Sequence, residues 1–268
     1  TETVNSITLD DVKAYYKKFF NPAMGTLVVV GDIDQNMVLP KLNLFKNWEK
    51  KAEVKMPMVT ASKIEKTKIY LVDKEKAPQS EIRIGYLALP YDATGEYYKA
   101  GLMNFILGGA FNSHINLNLR EDKGWTYGAR SGFNGDKNTG PFTASAGVKA
   151  TATDSSVVEF VKELKGYREK GIKEEELAFT KSSIGQSEAL RYETPAQKAG
   201  FLNRIVTYNL DKSYIDKQNE ILSKMTKAEI DMLAKKYLPV DNMVIVVVGD
   251  AKEYKDRLSK LGYDVIEM

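Results

Sequence analysis

"TKAEIDMLAKKYLPVDNMVIVVVGD" (226–250) decides how this chain is organised, because it is present twice. "TLDDVKAYYKKFFNPAMGTLVVVGD" (8–32) aligns with it without a gap at an offset of 218, and eight of the twenty-five positions are identical. Other positions keep their type: Val12 against Ile230, Tyr15 against Leu233, Phe19 against Tyr237, Phe20 against Leu238, Leu27 against Ile245. Each copy reads as an amphipathic helix opened by a capping box, Thr8 with Asp11 and Thr226 with Glu229. A proline turn and a buried β-branched strand ending in Gly-Asp follow. That Gly-Asp suits a strand end held by glycine, or a ligand-binding aspartate. A repeat this long marks duplicated domains and not a solenoid. Residues 1–50 then read as the helix-strand-helix tail of a preceding homologous domain, mostly missing. Residues 51–66, charged and carrying Pro57, read as a linker, and 67–268 as one complete domain.

Within 67–268 the pattern predicts two strands, "KIYLVDK" and "SEIRIGYLAL", and a helix over "EYYKAGLMNFIL". A tight "GGAFNS" turn leads to a second helix, "HINLNLREDK", with Ser113 as its cap and Gly124 as its stop. "WTYGARSGFN" and "GPFTASAGVKA" read as paired strands. A run of helices from Ser155 to Tyr237 precedes the final helix–strand unit. Strands first and helices later predict an α+β fold, a largely antiparallel sheet covered on one face by helices.

Composition excludes several function classes. The 268 residues are 43% hydrophobic and 28% charged, with a net charge of +3 and both signs interspersed, so nothing points to nucleic acid. The longest apolar runs are strand-sized, and no membrane span is expected. With no cysteine and a single histidine, His114, neither disulfides nor a thiolate or His-rich metal site can form. No nucleophile elbow is present, and "LGGAF" (107–111) lacks the Lys-Ser/Thr of a phosphate loop. The remaining chemistry is Arg120 near a helix end and Tyr127 in the next strand, where residues 125, 127 and 129 are expected to share one face. A guanidinium and a phenol can together hold a polarised oxygen. An arginine at a helix C-terminus and a tyrosine in a strand are also common for purely structural reasons.

"LGGAFNSHINLNLREDKGWTYGA" (107–129) resembles the motif of C-terminal domains in the pitrilysin/insulinase family of zinc metallopeptidases, and "NPAMGTLVVVGDID" (21–34) is similar to the way its first domain closes. The resemblance covers essentially the whole chain. It implies paired domains enclosing a peptide chamber. One domain holds zinc through an inverted His-x-x-Glu-His motif whose glutamate is the general base. Its partner supplies an arginine and a tyrosine for the scissile carbonyl, which by the motif match are Arg120 and Tyr127. This chain has no His-x-x-Glu-His, so on its own it is expected to bind no zinc and cut nothing. The expected partners are a peptide substrate and a homologous zinc-bearing domain, upstream on the same polypeptide or on another subunit. His114 stands where relatives often carry arginine and reads as a surface or packing residue. Two other readings stay open: a non-catalytic assembly subunit, and a module that captures extended peptides without cleavage. With the absence of cysteine, the resemblance suggests a periplasmic or other cell-envelope compartment.

Overall fold

The structure is a computed structural model and describes residues 2–49, 51, 54, 62–188 and 191–268. Its strands are β1 (Lys68–Asp73), β2 (Gln79–Leu89), β3 (Thr126–Phe133), β4 (Gly140–Lys149), β5 (Val244–Gly249) and β6 (Asp264–Glu267). Its α-helices are α1 (Glu2–Asn5), α2 (Leu9–Phe19), α3 (Gln35–Val38), α4 (Glu96–Asn104), α5 (His114–Asn116), α6 (Thr153–Lys170), α7 (Glu174–Glu188), α8 (Pro195–Tyr208), α9 (Tyr214–Lys224), α10 (Lys227–Tyr237) and α11 (Ala251–Ser259). Two compact units are formed, residues 1–58 with 188–211, and residues 59–187 with 212–268. The helix α8 therefore groups with the N-terminal residues. Most of the expected linker at 51–66 lies outside the described residues.

The larger unit holds one sheet in the order β3-β4-β2-β5-β1-β6. The pairs β3–β4, β4–β2 and β2–β5 are antiparallel, while β1 runs parallel to both β5 and β6. The sheet is thus largely antiparallel, as the order of elements predicts. Its strands alternate: Ile69, Leu71, Ile82, Ile84, Phe142, Ala144, Ile245 and Val247 are buried on one face. That face meets Val157, Phe160 and Leu164 of α6, Ile230 and Leu233 of α10, and Leu102 and Met103 of α4 in a single core. Each fully buried aliphatic side chain there stabilises the fold by about 1.5–3 kcal/mol. On the other face Tyr70, Val72, Val244 and Val246 are only half buried.

Both capping boxes form, Thr8 with Asp11 on α2 and Thr226 with Glu229 on α10. The two copies then part in burial. Ile230, Leu233, Leu238 and Ile245 are at most 5% exposed, whereas their counterparts Val12, Tyr15, Phe20 and Leu27 are 53–59% exposed. In the second copy "VIVVVG" becomes the inner strand β5. In the first, residues 27–30 form no strand, which corrects the expectation of a buried one. A strand exists only as one member of a ladder, and none of the described residues pairs with this segment. Asp250, at the end of the second copy, is structural: it caps α11 through the Lys252 N–H and accepts the Lys76 N–H at 2.7 Å. Among the described residues no helix is long and apolar enough to cross a membrane.

Candidate functional site

Arg120 and Tyr127 lie where two helical segments back onto β3, one edge of the sheet. α4 runs on into a wide π-helical turn over Phe105–Gly109, closed by the Ala110 N–H donating to the Phe105 carbonyl. The glycines of that turn have a steric reason: a Cβ on Gly108 would lie 2.2 Å from Ser131 Oγ, so the turn rests directly on β3. α5 likewise continues as a π-helical turn over Leu117–Asp122. Such widened turns are rare and concentrate at functional sites. Ser113 occupies the position before α5, but its side chain accepts no capping hydrogen bond, contrary to the reading of it as the cap. The segment stops at Gly124, whose φ is +62°, with the Trp125 N–H donating to the Leu119 carbonyl and the Gly124 N–H to that of Arg120. This glycine-terminated hairpin turns the chain from helix into strand and puts Arg120 within one turn of the reversal.

The arginine is lightly held. Its guanidinium stacks on the Phe111 ring, 4.5 Å from the centroid, and meets Glu121 at 3.4 Å, a partly exposed pair of small energetic weight. Tyr127 is 92% exposed, and among the described residues its hydroxyl has no hydrogen bond and its ring no ring contact. No hydrogen bond joins Arg120 to Tyr127. The strand reading needs correction here. β3 pairs Thr126 with Val148 and Ala129 with Ala146, so one extra residue is accommodated at Tyr127–Gly128. That bulge breaks the alternation: Ala129 and Ser131 point inward, while Tyr127, expected on the face of Ala129, is turned out to solvent. Thr126 staples the bulge. Its hydroxyl lies 2.7 Å from the Gly147 carbonyl and 3.0 Å from that of Gly128, and receives the Gly128 N–H at 3.1 Å.

Two buried asparagines bind these pieces together, and sequence reading missed both. Asn104 donates to the Ser131 carbonyl at 2.8 Å and accepts from the Ser131 hydroxyl at 2.5 Å. Asn116 donates to the Phe111 carbonyl at 2.8 Å and accepts the Ala129 N–H at 3.0 Å. One turn before Arg120, this single amide fixes the Phe111 loop, the arginine-bearing helix and the tyrosine-bearing strand. Its spacing of four from Arg120 was the available signal. The far side of the same helix is clamped too. Asn118 donates to Glu159 and Glu163 of α6, and His114 Nε2 meets Glu176 of α7 at 2.5 Å, with the His114 ring edge-on to Tyr167. Burial alone would raise the Glu176 carboxyl, but the Lys173 N–H and His114 outweigh it and hold it below the ordinary range. His114 thus has carboxylate and aromatic partners. No group of three or more potential metal ligands exists among the described residues.

The family model described as the peptidase M16 inactive domain matches residues 6–184. A Helicobacter pylori protein named "Non-peptidase homolog YmxG" is 24% identical over 95% of this chain and 58% of its own length. "Uncharacterized zinc protease YmxG" of Bacillus subtilis is 24% identical over 74% of this chain and 47% of its own. The chain therefore spans about half the length of these curated relatives. Among solved structures, the peptidase M16 inactive domain from Pseudomonas fluorescens superposes with a TM-score of 0.80 at 24% identity, over 93% of this chain and 60% of that one. A chain of Complex III2 from Candida albicans superposes at 0.72 and 15% identity, over 100% of this chain and 64% of that one. These likenesses are of fold. Since the family model spans well over half of the residues, including the whole stretch from the Gly-Gly turn to β3, the chain belongs to the peptidase M16 inactive-domain family.

Proposed function

We infer that this chain is the substrate-holding, non-zinc part of a larger peptidase, in which Arg120 and Tyr127 bind the carbonyl of an extended peptide. The observation that carries this reading is a pair of polar groups without buried partners on rigid supports. Tyr127 is presented to solvent by a stapled bulge, and Arg120 is tied only to an exposed glutamate and a ring. Facing water, their donors are open to a ligand, the guanidinium as a permanent cation and the phenol as a directional O–H. Aimed at one oxygen, a permanent cation and a directional hydroxyl stabilise the negative charge that grows on a carbonyl under attack. The metal and its general base belong to a homologous half, on the same polypeptide or on a partner. Residues 1–50 close a preceding domain of the same fold, a reading supported by the apolar face of α2 that has no cover among the described residues.

The test uses the complete protein and a quenched fluorogenic peptide. Arg120→Ala is expected to lower turnover by roughly 10²–10³, the scale for one lost oxyanion donor. Tyr127→Phe is expected to lower it by roughly 10–100-fold, the worth of one hydrogen bond to a charged group. Unchanged rates in both variants would remove the assigned roles. A second reading, a non-catalytic member of the family, is favoured by the name of the Helicobacter pylori relative that aligns over 95% of this chain. It expects no hydrolysis by the complete protein under any metal loading. Peptide capture by strand addition to β3 has less support, because the Ala129 N–H and the Ser131 carbonyl are already bonded to Asn116 and Asn104.

A further inference from the structure

We propose that Phe111 is a third peptide-contacting residue of this site, an aromatic platform that takes an apolar side chain next to the carbonyl held by Arg120 and Tyr127. This rests on the peptide reading above and extends it to a substrate class, extended segments rich in leucine-like side chains. A single exposed apolar residue needs no explanation of its own. Phe111 differs in how it is held. It is 66% exposed, yet its loop is fixed by the Ala110 N–H to the Phe105 carbonyl, the Ser113 N–H to the Ala110 carbonyl and the Asn116 side-chain amide to the Phe111 carbonyl. A mobile loop tip has no use for a buried asparagine that is also bonded to the strand carrying Tyr127. The same amide therefore sets the positions of Phe111 and Tyr127 relative to each other, and Arg120 follows one turn later on its helix.

The chemistry follows from which parts of the ring are engaged. The Arg120 guanidinium lies against the Phe111 ring, a cation–π contact that orients the arginine without neutralising it. The rest of the ring faces solvent. A peptide whose carbonyl reaches Arg120 brings its neighbouring side chains over this surface, and a branched aliphatic chain covers it, whereas a methyl or hydroxymethyl group leaves most of it wet. The discrimination expected from covering such a surface is about tenfold.

The experiment titrates the complete protein, kept in a metal chelator so that no peptide is cut, with two labelled decapeptides, one alternating Ser and Leu and one alternating Ser and Ala, followed by fluorescence anisotropy. Alternation makes the result independent of which residue faces the ring. The wild-type protein should bind the Leu peptide about tenfold more tightly. Phe111→Ser should abolish that preference. Phe111→Leu should keep it while weakening both peptides alike, because the aliphatic contact survives and the stacking on Arg120 does not. Arg120→Ala should weaken both peptides and leave the ratio in place. A preference that survives Phe111→Ser, with Arg120→Ala still weakening both peptides, overturns the platform and spares the carbonyl reading. A preference lost in Phe111→Ser with Arg120→Ala silent supports the platform and overturns the carbonyl reading. Wild-type protein that binds neither peptide overturns both.

Discussion

At the scale of residues, the candidate site sets groups bonded inside the fold against groups held only at the surface. Asn104, Asn116 and Thr126 have hydrogen bonds to the backbone of β3 or its neighbours, and Arg120 and Tyr127 are displayed by them. His114 belongs with the supports. Its contact with Glu176 joins the arginine-bearing helix to α7, and the carboxyl held low there links stability to pH. A carboxyl depressed in the folded state adds stability above its ordinary value of 4.5, and that stability is lost as pH falls through the lowered folded value. His114→Ala is therefore expected to cost about 1–2 kcal/mol near neutral pH. It should also shrink the additional loss seen below pH 4.5. Urea unfolding of the wild-type and variant proteins across that range checks both. Parallel acid limbs in the two proteins would show that the pair carries no linkage.

The elements show where sequence reading stops. The two repeat helices, the strand pair β3–β4 and the glycine stop at 124 follow from capping boxes, alternation and Gly chemistry, all local. Gly128 within an alternating run was the one cue for a bulge, and alternation alone placed Tyr127 on the wrong face. The π-helical turns are invisible locally, and the spacing of Asn116 from Arg120 does not reveal its partners, because both depend on α4 and α5 meeting β3. α11 and β6 went unread beyond the second repeat, β6 being only four residues long. The bulge makes its own prediction. Thr126→Val keeps size but removes the hydroxyl shared with Gly128 and Gly147, which should cost about 1–2 kcal/mol on chemical denaturation. It should also weaken peptide binding in the same direction as Tyr127→Phe. A stability loss with full peptide affinity would mean that the staple holds the strand but does not aim the tyrosine.

For the whole molecule, the informative comparison is between two copies of one sequence pattern in opposite surroundings. Leu238 is fully buried and Phe20, its counterpart, is 53% exposed. In the 268-residue chain, Leu238→Ser should destabilise by about 2–5 kcal/mol, and Phe20→Ser by under about 0.5 kcal/mol. If residues 1–50 close a preceding domain, as proposed above, Phe20→Ser in a protein that contains that domain should become as costly as Leu238→Ser, measured by the same unfolding assay. A Phe20→Ser variant that stays neutral there would remove the argument for a domain body packed on α2.

The strand order has a consequence for how such a protein is made. β5 lies between β2 and β1, and the bond from Thr67 to the Val240 carbonyl at that junction spans 173 residues of chain. Until the ribosome has delivered β5, the emerging polypeptide holds β1 apart from the β2–β4–β3 ribbon, each with an unfilled edge. At ordinary elongation rates the stretch between β4 and β5 takes roughly 5–20 s to deliver, long compared with the time in which exposed strands find wrong partners. The nascent sheet is then a natural client for a holding chaperone.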